Sequence, residues 1–239
     1  MIYFIIFFIT IIIIYINISF YRNSDYHLDI HTFKKIDMND LKTLYKLRQP
    51  IVFKYNLNTI NTENLDTIFN NKNVSLINNK SGKITNVKWK NNKKNNCYMV
   101  ARFKSNRNKE FKPLMNYESY ENYIILNDKM STLPKYSNIY SELITPINGE
   151  CTIRILKNEE RHYLNEKSSK ENEVYFLNNI FTETYNFKDI HLKKGDCIII
   201  PSKWIYSIKT TTPVILFNQS WETYINKLAH IDNFIKHNL

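Results

Sequence analysis

The chain has little glycine, little cysteine and a shortage of acidic residues for its 239 residues. Its 3 glycines (Gly82, Gly149 and Gly195) cannot form a GxGxxG or GxxxxGK[ST] loop, which excludes the glycine-rich nucleotide sites. Its 3 cysteines are widely spaced with no CxxC pair, which excludes a disulfide framework and a zinc knuckle and predicts buried free thiols. The 22 acidic residues stand against 33 basic ones, so the net charge is +11.

The first twenty residues form the one long apolar run. Residues 2–20 read IYFIIFFITIIIIYINISF, with no Lys or Arg before them and no small-residue cleavage site after them. As a helix this run would measure about 28 Å, which matches a bilayer core of about 30 Å. We therefore predict an uncleaved transmembrane helix at 1–20. Arg22, Lys34 and Lys35 follow it, so the positive-inside rule predicts a membrane protein whose C-terminal part faces the cytoplasm.

Three parts follow from this pattern: an anchor at 1–20, a tether at 21–36 and one domain at 37–239. In the domain, capping residues from Asp37 and apolar residues at helical spacing predict a helix that ends before Pro50. Further helices are predicted at 62–69, 117–123 and 221–237. Short strands are predicted at 51–55, 74–77, 84–89, 98–103, 139–145, 151–156, 174–177, 180–187, 197–200, 205–209 and 214–217, and the polar residues 157–173 are predicted to form a surface loop.

The segment 80–112 carries most of the charge. It holds eleven basic residues against the single acid Glu110, a net charge of +10. Two interpretations stay open: a solvated Lys/Asn-rich insertion, and a basic surface that binds anionic lipid headgroups, an acidic protein or, less favoured, nucleic acid. The residues proposed for that surface are Lys88, Lys90, Lys93, Lys94, Arg102, Lys104 and Arg107.

Four stretches, taken in order, resemble the cupin-like, JmjC-type oxygenase domains. Residues 41–55 are similar to the helix, x-Pro and strand that open those domains, and residues 111–126 to the segment before their metal strand. Residues 147–156 resemble their strand–turn–strand, and residues 191–221 contain sequences similar to pGD-x-l-x-iP-x-x-W and vN-x-x-W. The motif residues are Gly149, Gly195, Asp196, Pro201, Trp204, Asn218 and Trp221. The resemblance implies a mainly β fold with flanking helices, a double-stranded β-helix (a cupin or jelly-roll-like barrel), in which Trp204 closes one end.

The same resemblance implies an Fe(II) site made of an H-x-D/E pair and a later His, together with 2-oxoglutarate. The pair falls on Tyr136 and Asn138, since Tyr136 lies 13 residues before Gly149. The later His, which closes P-x-x-W-x-H, falls on Tyr206. A phenol and a neutral amide are poor Fe(II) ligands. All three ligand positions are replaced, so the resemblance implies a relative with no metal and no cofactor.

The sequence therefore favours a membrane-anchored, catalytically inactive cupin-like domain that serves as a binding or scaffold module. One alternative is an Fe(II)/2-oxoglutarate hydroxylase with displaced ligands, for which His162, His191 and Glu142 are the residues available. Another is the basic-surface module described above. Relatives often dimerise through C-terminal helices, so the helix predicted at 221–237 suggests a homodimer.

Overall fold

The computed structural model of the chain describes residues 2–22, 28–45, 47–55, 73–88, 97–104, 118–170, 173–182 and 185–222. These residues are mainly β. The helices are α1 (Ile2–Arg22), α2 (Met38–Tyr45) and a 3₁₀ helix (Asn158–Tyr163). The strands are β1 (His31–Phe33), β2 (Ile51–Lys54), β3 (Asn73–Asn78), β4 (Ile84–Lys88), β5 (Cys97–Lys104), β6 (Glu118–Leu126), β7 (Lys135–Ser137), β8 (Ser141–Asn148), β9 (Glu150–Leu156), β10 (Glu166–Lys170), β11 (Glu173–Phe176), β12 (Phe187–Lys193), β13 (Asp196–Pro201), β14 (Ile205–Lys209) and β15 (Val214–Glu222).

The strands form two sheets that pack face to face. The larger sheet has nine strands in the order β1-β2-β13-β8-β15-β6-β5-β3-β4, and the smaller has six in the order β10-β11-β7-β14-β9-β12. Both orders are linear, so within the described residues neither sheet closes on itself. The predicted double-stranded β-helix, a cupin or jelly-roll-like barrel, is therefore corrected to two open sheets, each ending in edge strands.

Alternation of side chains along the strands divides the core into layers. The main cluster lies between the sheets and joins residues such as Ile144 and Leu216 of the large sheet to Ile153 and Ile208 of the small one. A second cluster covers the outer face of the large sheet, where α2 contributes Leu41 and Tyr45. A third covers the outer face of the small sheet. The three cysteines are free and buried, as predicted.

The predicted transmembrane helix is wrong. In the described part of the chain, no helix has the length and apolar character needed to cross a membrane. In α1, Tyr3, Thr10 and Tyr15 interrupt the apolar side chains, and the Thr10 hydroxyl donates to the Ile6 carbonyl at 2.8 Å. The predicted integral single-pass membrane partner and the predicted membrane localisation with a cytoplasmic domain depend on this helix and are corrected with it.

Several other elements differ from the prediction. The helix expected at 117–123 is strand β6, and the loop expected at 157–173 contains the 3₁₀ helix and β10. The strand expected at 180–187 is a turn in its described part, and β12 begins where it was expected to end. Trp221, expected to begin the last helix, is near the end of β15, while residues 62–69 and 223–237 lie outside the described ranges.

Candidate functional site

A buried polar cluster lies between the two sheets, and strand register assembles it. In the small sheet, Lys135 on β7 is directly opposite Tyr175 on β11 and Tyr206 on β14. Directly paired residues point to the same face of a sheet, so these three side chains share one face. In the large sheet, Asn218 on β15 is directly opposite Asn122 on β6. The two sets meet because the inner faces of the sheets pack together.

Lys135 forms ion pairs with two glutamates at the centre of this cluster. Its Nζ contacts Glu173 Oε1 in the small sheet and lies 3.5 Å from Glu142 Oε1 in the large sheet. The two glutamate side chains are 2 % and 6 % exposed and that of Lys135 is 10 % exposed. Charges buried to this degree require such pairing, because unpaired desolvation costs several kcal/mol per ion. The lysine therefore joins the two sheets through its two carboxylate partners.

Two tyrosine hydroxyls donate hydrogen bonds to the second oxygen of each carboxylate. Tyr206 donates to Glu142 Oε2 and Tyr175 donates to Glu173 Oε2, each at 2.7 Å. Burial, followed by the negative charge of Glu142, raises the pKa of Tyr206 well above its usual value. Burial and the charge of Glu173 raise the pKa of Tyr98, which lines the same cluster. These phenols therefore stay protonated and act as donors.

Asn218 contributes a donor and leaves one acceptor without a protein partner. Its Nδ2 donates to Glu142 Oε1 at 3.3 Å, which fixes the amide orientation, since the flipped amide would place its oxygen against the carboxylate. Asn218 Oδ1 is buried and has no hydrogen-bond partner. The adjoining cavity, lined also by Asn122, Thr132 and Glu173, measures about 10 Å³. That is about the space of one water molecule, which can donate to Asn218 Oδ1.

The residues of this cluster do not fit Fe(II). The Lys135 ammonium already supplies a positive charge between the two carboxylates, and the Tyr206 phenol is a protonated donor rather than a ligand. A metal with a bound organic cosubstrate needs a pocket of about 300 Å³ or more, against about 10 Å³ here.

The three positions where the resemblance places iron ligands do not converge. Tyr206 lies on the inner face with Lys135, whereas Tyr136 packs in the cluster on the outer face of the small sheet. Asn138 accepts a hydrogen bond from the buried Lys203 amine at 2.5 Å, and that amine lies 5.2 Å from the Tyr136 ring.

The alternative set of displaced ligands is not assembled either. Glu142 is buried between the sheets, whereas His162 and His191 are exposed, on the 3₁₀ helix and on β12. Within the residues that the structure describes, no group of three or more His, Cys, Asp or Glu side chains could hold a metal ion.

Most of the motif residues lie where the chain turns or where strands begin or end. Gly149 (φ 77°) separates β8 from β9, and Gly195 (φ 91°) precedes β13. Asp196 begins β13 and accepts a hydrogen bond from the Lys193 backbone N–H at 3.1 Å. The remaining four are Pro201 at the end of β13, Trp204, Asn218 and Trp221, the last two on β15. Trp204 is buried in the core between the sheets, and its indole N–H donates to the Arg48 carbonyl at 2.9 Å.

The basic surface lies mostly outside the described ranges. Lys88 ends β4, and Arg102 and Lys104 belong to β5, where they pair with Asn122 and Tyr120 of β6. The residues outside are Lys90, Lys93, Lys94 and Arg107.

A groove of about 680 Å³ lies on the outer face of β9, β12 and β14. Arg154 crosses its floor, forms a two-bond ion pair with Asp189 at 2.7 Å, and lies 3.5 Å from the Phe187 ring and 4.8 Å from the Phe181 ring. Further along, the Thr152 hydroxyl and His191 Nδ1 are 2.9 Å apart. The groove is lined by both cationic and carboxylate side chains.

Sequence reasoning missed most of the polar cluster. It found Tyr206 and Asn218 through motif position and named Glu142 only as a displaced ligand. It did not find Lys135 or Glu173. The available signal for Glu173 was its place directly before the apolar run Val174-Tyr175-Phe176, since strand alternation puts Glu173 on the face of Tyr175.

No protein-family model matches the chain, and no curated protein sequence matches it significantly. The fold is similar to that in the X-ray structure of E. coli ycfD, with a TM-score of 0.56 and 11 % sequence identity. The similarity covers 86 % of this chain and 58 % of that one, so this chain spans little more than half of ycfD. At this identity the likeness concerns the fold alone, and one fold hosts many functions.

Proposed function

We propose that this chain is a cupin-like, JmjC-type domain without an iron centre, which works as a binding or scaffold module rather than as an oxygenase. The observation that carries this proposal is the Lys135 ammonium held between Glu142 and Glu173 in the interior. The sequence resemblance contributes the family, and the similarity to ycfD is compatible with it at the level of the fold.

The position of Tyr206 links the resemblance to this cluster. The resemblance assigns to Tyr206 the place of the second iron-binding His. Its hydroxyl donates to Glu142, and Lys135 Nζ lies 5.3 Å from its ring. The Lys135 ammonium is already the cationic partner of both carboxylates, so it takes the place that a metal cation between them would need. The interior cluster therefore has a structural role, and a binding partner of this module contacts an outer surface.

An iron-loading experiment tests this proposal. The full chain is incubated anaerobically with Fe(II) and 2-oxoglutarate, passed through a desalting column and analysed for iron. We expect no stoichiometric iron, because the interior offers neither a free carboxylate nor the room for cosubstrate.

Glu142→Gln is the matched control, since it removes one interior carboxylate and leaves every surface residue unchanged. One iron per wild-type chain that is lost in Glu142→Gln would overturn the proposal. Iron retained equally by both proteins is bound outside the interior, and the proposal stands.

A further inference from the structure

Strand β12 ends the six-stranded sheet and offers an open edge. Among the described strands it pairs only with β9, from Phe187↔Leu156 to Lys193↔Glu150. Six of its seven residues are exposed or half-buried, and only Leu192 is buried. At about 3.4 Å per residue, this edge is about 24 Å long. An edge of this length is a template for another strand.

The sequence of β12 is complementary to itself when two copies run antiparallel. A two-fold axis perpendicular to the joined sheet leaves the same face of both copies on the same side. Directly opposite residues share a face, so one residue must lie opposite its own counterpart in the second copy, and the axis passes through that residue position. Centred on Ile190, the axis pairs all seven residues. It sets Asp189 opposite His191 of the second copy and Phe187 opposite Lys193 of the second copy, each pair occurring twice.

The neighbouring registers are worse. An axis through Lys188 or Asp189 sets like charges directly opposite each other, which is destabilising. An axis through His191 leaves two residues of each strand without a partner. Only the Ile190-centred register pairs all seven residues, and it sets no like charges directly opposite each other; its remaining pair is Lys188 with Leu192 of the second copy.

Contacts within one copy leave these side chains able to bind their partners in the second copy. The Asp189 carboxylate is 31 % exposed although it is bound to Arg154, so it can accept a further hydrogen bond. When the Thr152 hydroxyl donates to His191 Nδ1, the ring proton is on Nε2, which is then a donor for Asp189 of the second copy. Phe187 is 36 % exposed although the Arg154 guanidinium covers one part of its ring, so the aliphatic chain of Lys193 of the second copy can pack against the part that stays exposed.

We infer that two copies of this chain associate through β12, in antiparallel register about Ile190, to form a continuous twelve-stranded sheet. The two grooves beside Arg154 then lie on one face of that sheet. The occupant is a second copy because the charges of β12 match their own two-fold image. This inference is independent of the proposed function, since β12 contributes no residue to the lining of the cavity in the Lys135 cluster.

Cysteine cross-linking of the full chain tests the register. In Ile190→Cys the two new thiols face each other across the axis, and we expect an intermolecular disulfide under mild oxidation. Lys188→Cys is the matched control on the same strand and face. Its two thiols would lie about 14 Å apart along the pair, beyond the Cα separation of about 7 Å that a disulfide tolerates. The native cysteines are buried.

Cross-linking of Ile190→Cys alone supports the inference. Cross-linking of both variants, or of neither while circular dichroism shows that both are folded, overturns it.

Sedimentation of the full chain gives a second readout. His191→Asp sets two carboxylates opposite each other and is expected to weaken dimerisation at least tenfold, whereas His191→Lys retains an attractive pair. Lys209→Gln makes the same change of one charge on the same sheet face, two strands away from the edge, and is expected to leave dimerisation unchanged. Equal dimerisation of all three variants overturns the inference.

Discussion

At the scale of single residues, Lys135 decides what the interior can hold. Its ammonium has two carboxylate partners and each carboxylate also has a tyrosine donor, so every charged group in the cluster has an ionic or hydrogen-bond partner. Removing one partner of a buried ion pair leaves an uncompensated charge, which typically costs about 3–5 kcal/mol. The cluster is therefore intolerant of single changes.

Buried thiols and phenols make stability depend on pH. Burial raises the pKa of Cys151 and Cys197 to about 12 and raises that of Tyr206 far above its ordinary value. In the unfolded chain thiols titrate near pH 8.5 and phenols near pH 10. Above these values the unfolded state has lost protons that the folded state retains, so the free energy of unfolding falls as pH rises.

We therefore expect the free energy of unfolding, from urea titrations, to be lower at about pH 10.5 than at about pH 8. Cys151→Ala and Cys197→Ala together should make this decline shallower. A free energy that is constant or rises over this interval would contradict the assignment of these groups as buried and neutral.

Sequence motifs located some of these residues and could not locate others. Tyr206 and Asn218 belong to recognisable sequence motifs with apolar and proline residues before them, so the resemblance to the family motifs located them. Lys135 follows Pro134 in a segment without motif character, and its burial depends on two glutamates 7 and 38 positions away. A buried ion pair between distant strands leaves no local pattern in a single sequence.

At the scale of elements, turn glycines fix where strands reverse. Gly149 and Gly195 both adopt positive φ, which strains any residue with a Cβ. They differ in surroundings. A Cβ at Gly149 would lie 2.6 Å from the Pro213 carbonyl oxygen, whereas at Gly195 nothing lies within 4 Å.

This difference gives a matched pair of variants. Gly195→Ala should cost about 1–2 kcal/mol, the strain of a left-handed residue alone. Gly149→Ala should cost clearly more, because β15 must also shift where it pairs with β8. Chemical denaturation measures both, and equal losses would show that the close approach at Pro213 carries no cost.

Most short strands were predictable, because apolar runs between turn residues mark them. Strand β6 was not, since residues 117–123 were assigned to a helix. Pairing with β15 over nine residues and with β5 on the other side overrides the local pattern there. Strand β10 was missed for a related reason: its polar sequence, EKSSK, is typical of a loop, and its pairing with β11 makes it a strand.

At the scale of the whole molecule, two open sheets share one core and are joined across it by polar contacts. Lys135–Glu142 and Tyr206–Glu142 both connect the small sheet to the large one. The long apolar run at the N-terminus predicts a membrane-spanning helix, and this prediction is wrong, because the described residues contain no helix able to cross a membrane. The predicted double-stranded β-helix barrel is likewise wrong, because both sheets have a linear strand order.

The central claim is that an ionic contact occupies the interior and ties the two sheets together. A double-mutant cycle of Lys135→Met and Glu142→Gln tests it most directly, with the free energy of unfolding measured for all four proteins. Met keeps the length of the lysine side chain without its charge, and Gln keeps the shape of the glutamate.

We expect a coupling energy of about 1–3 kcal/mol, since the second substitution removes the charge that the first leaves unpaired. Effects that add within about 0.5 kcal/mol would contradict the account, because Lys135 and Glu142 would then contribute independently.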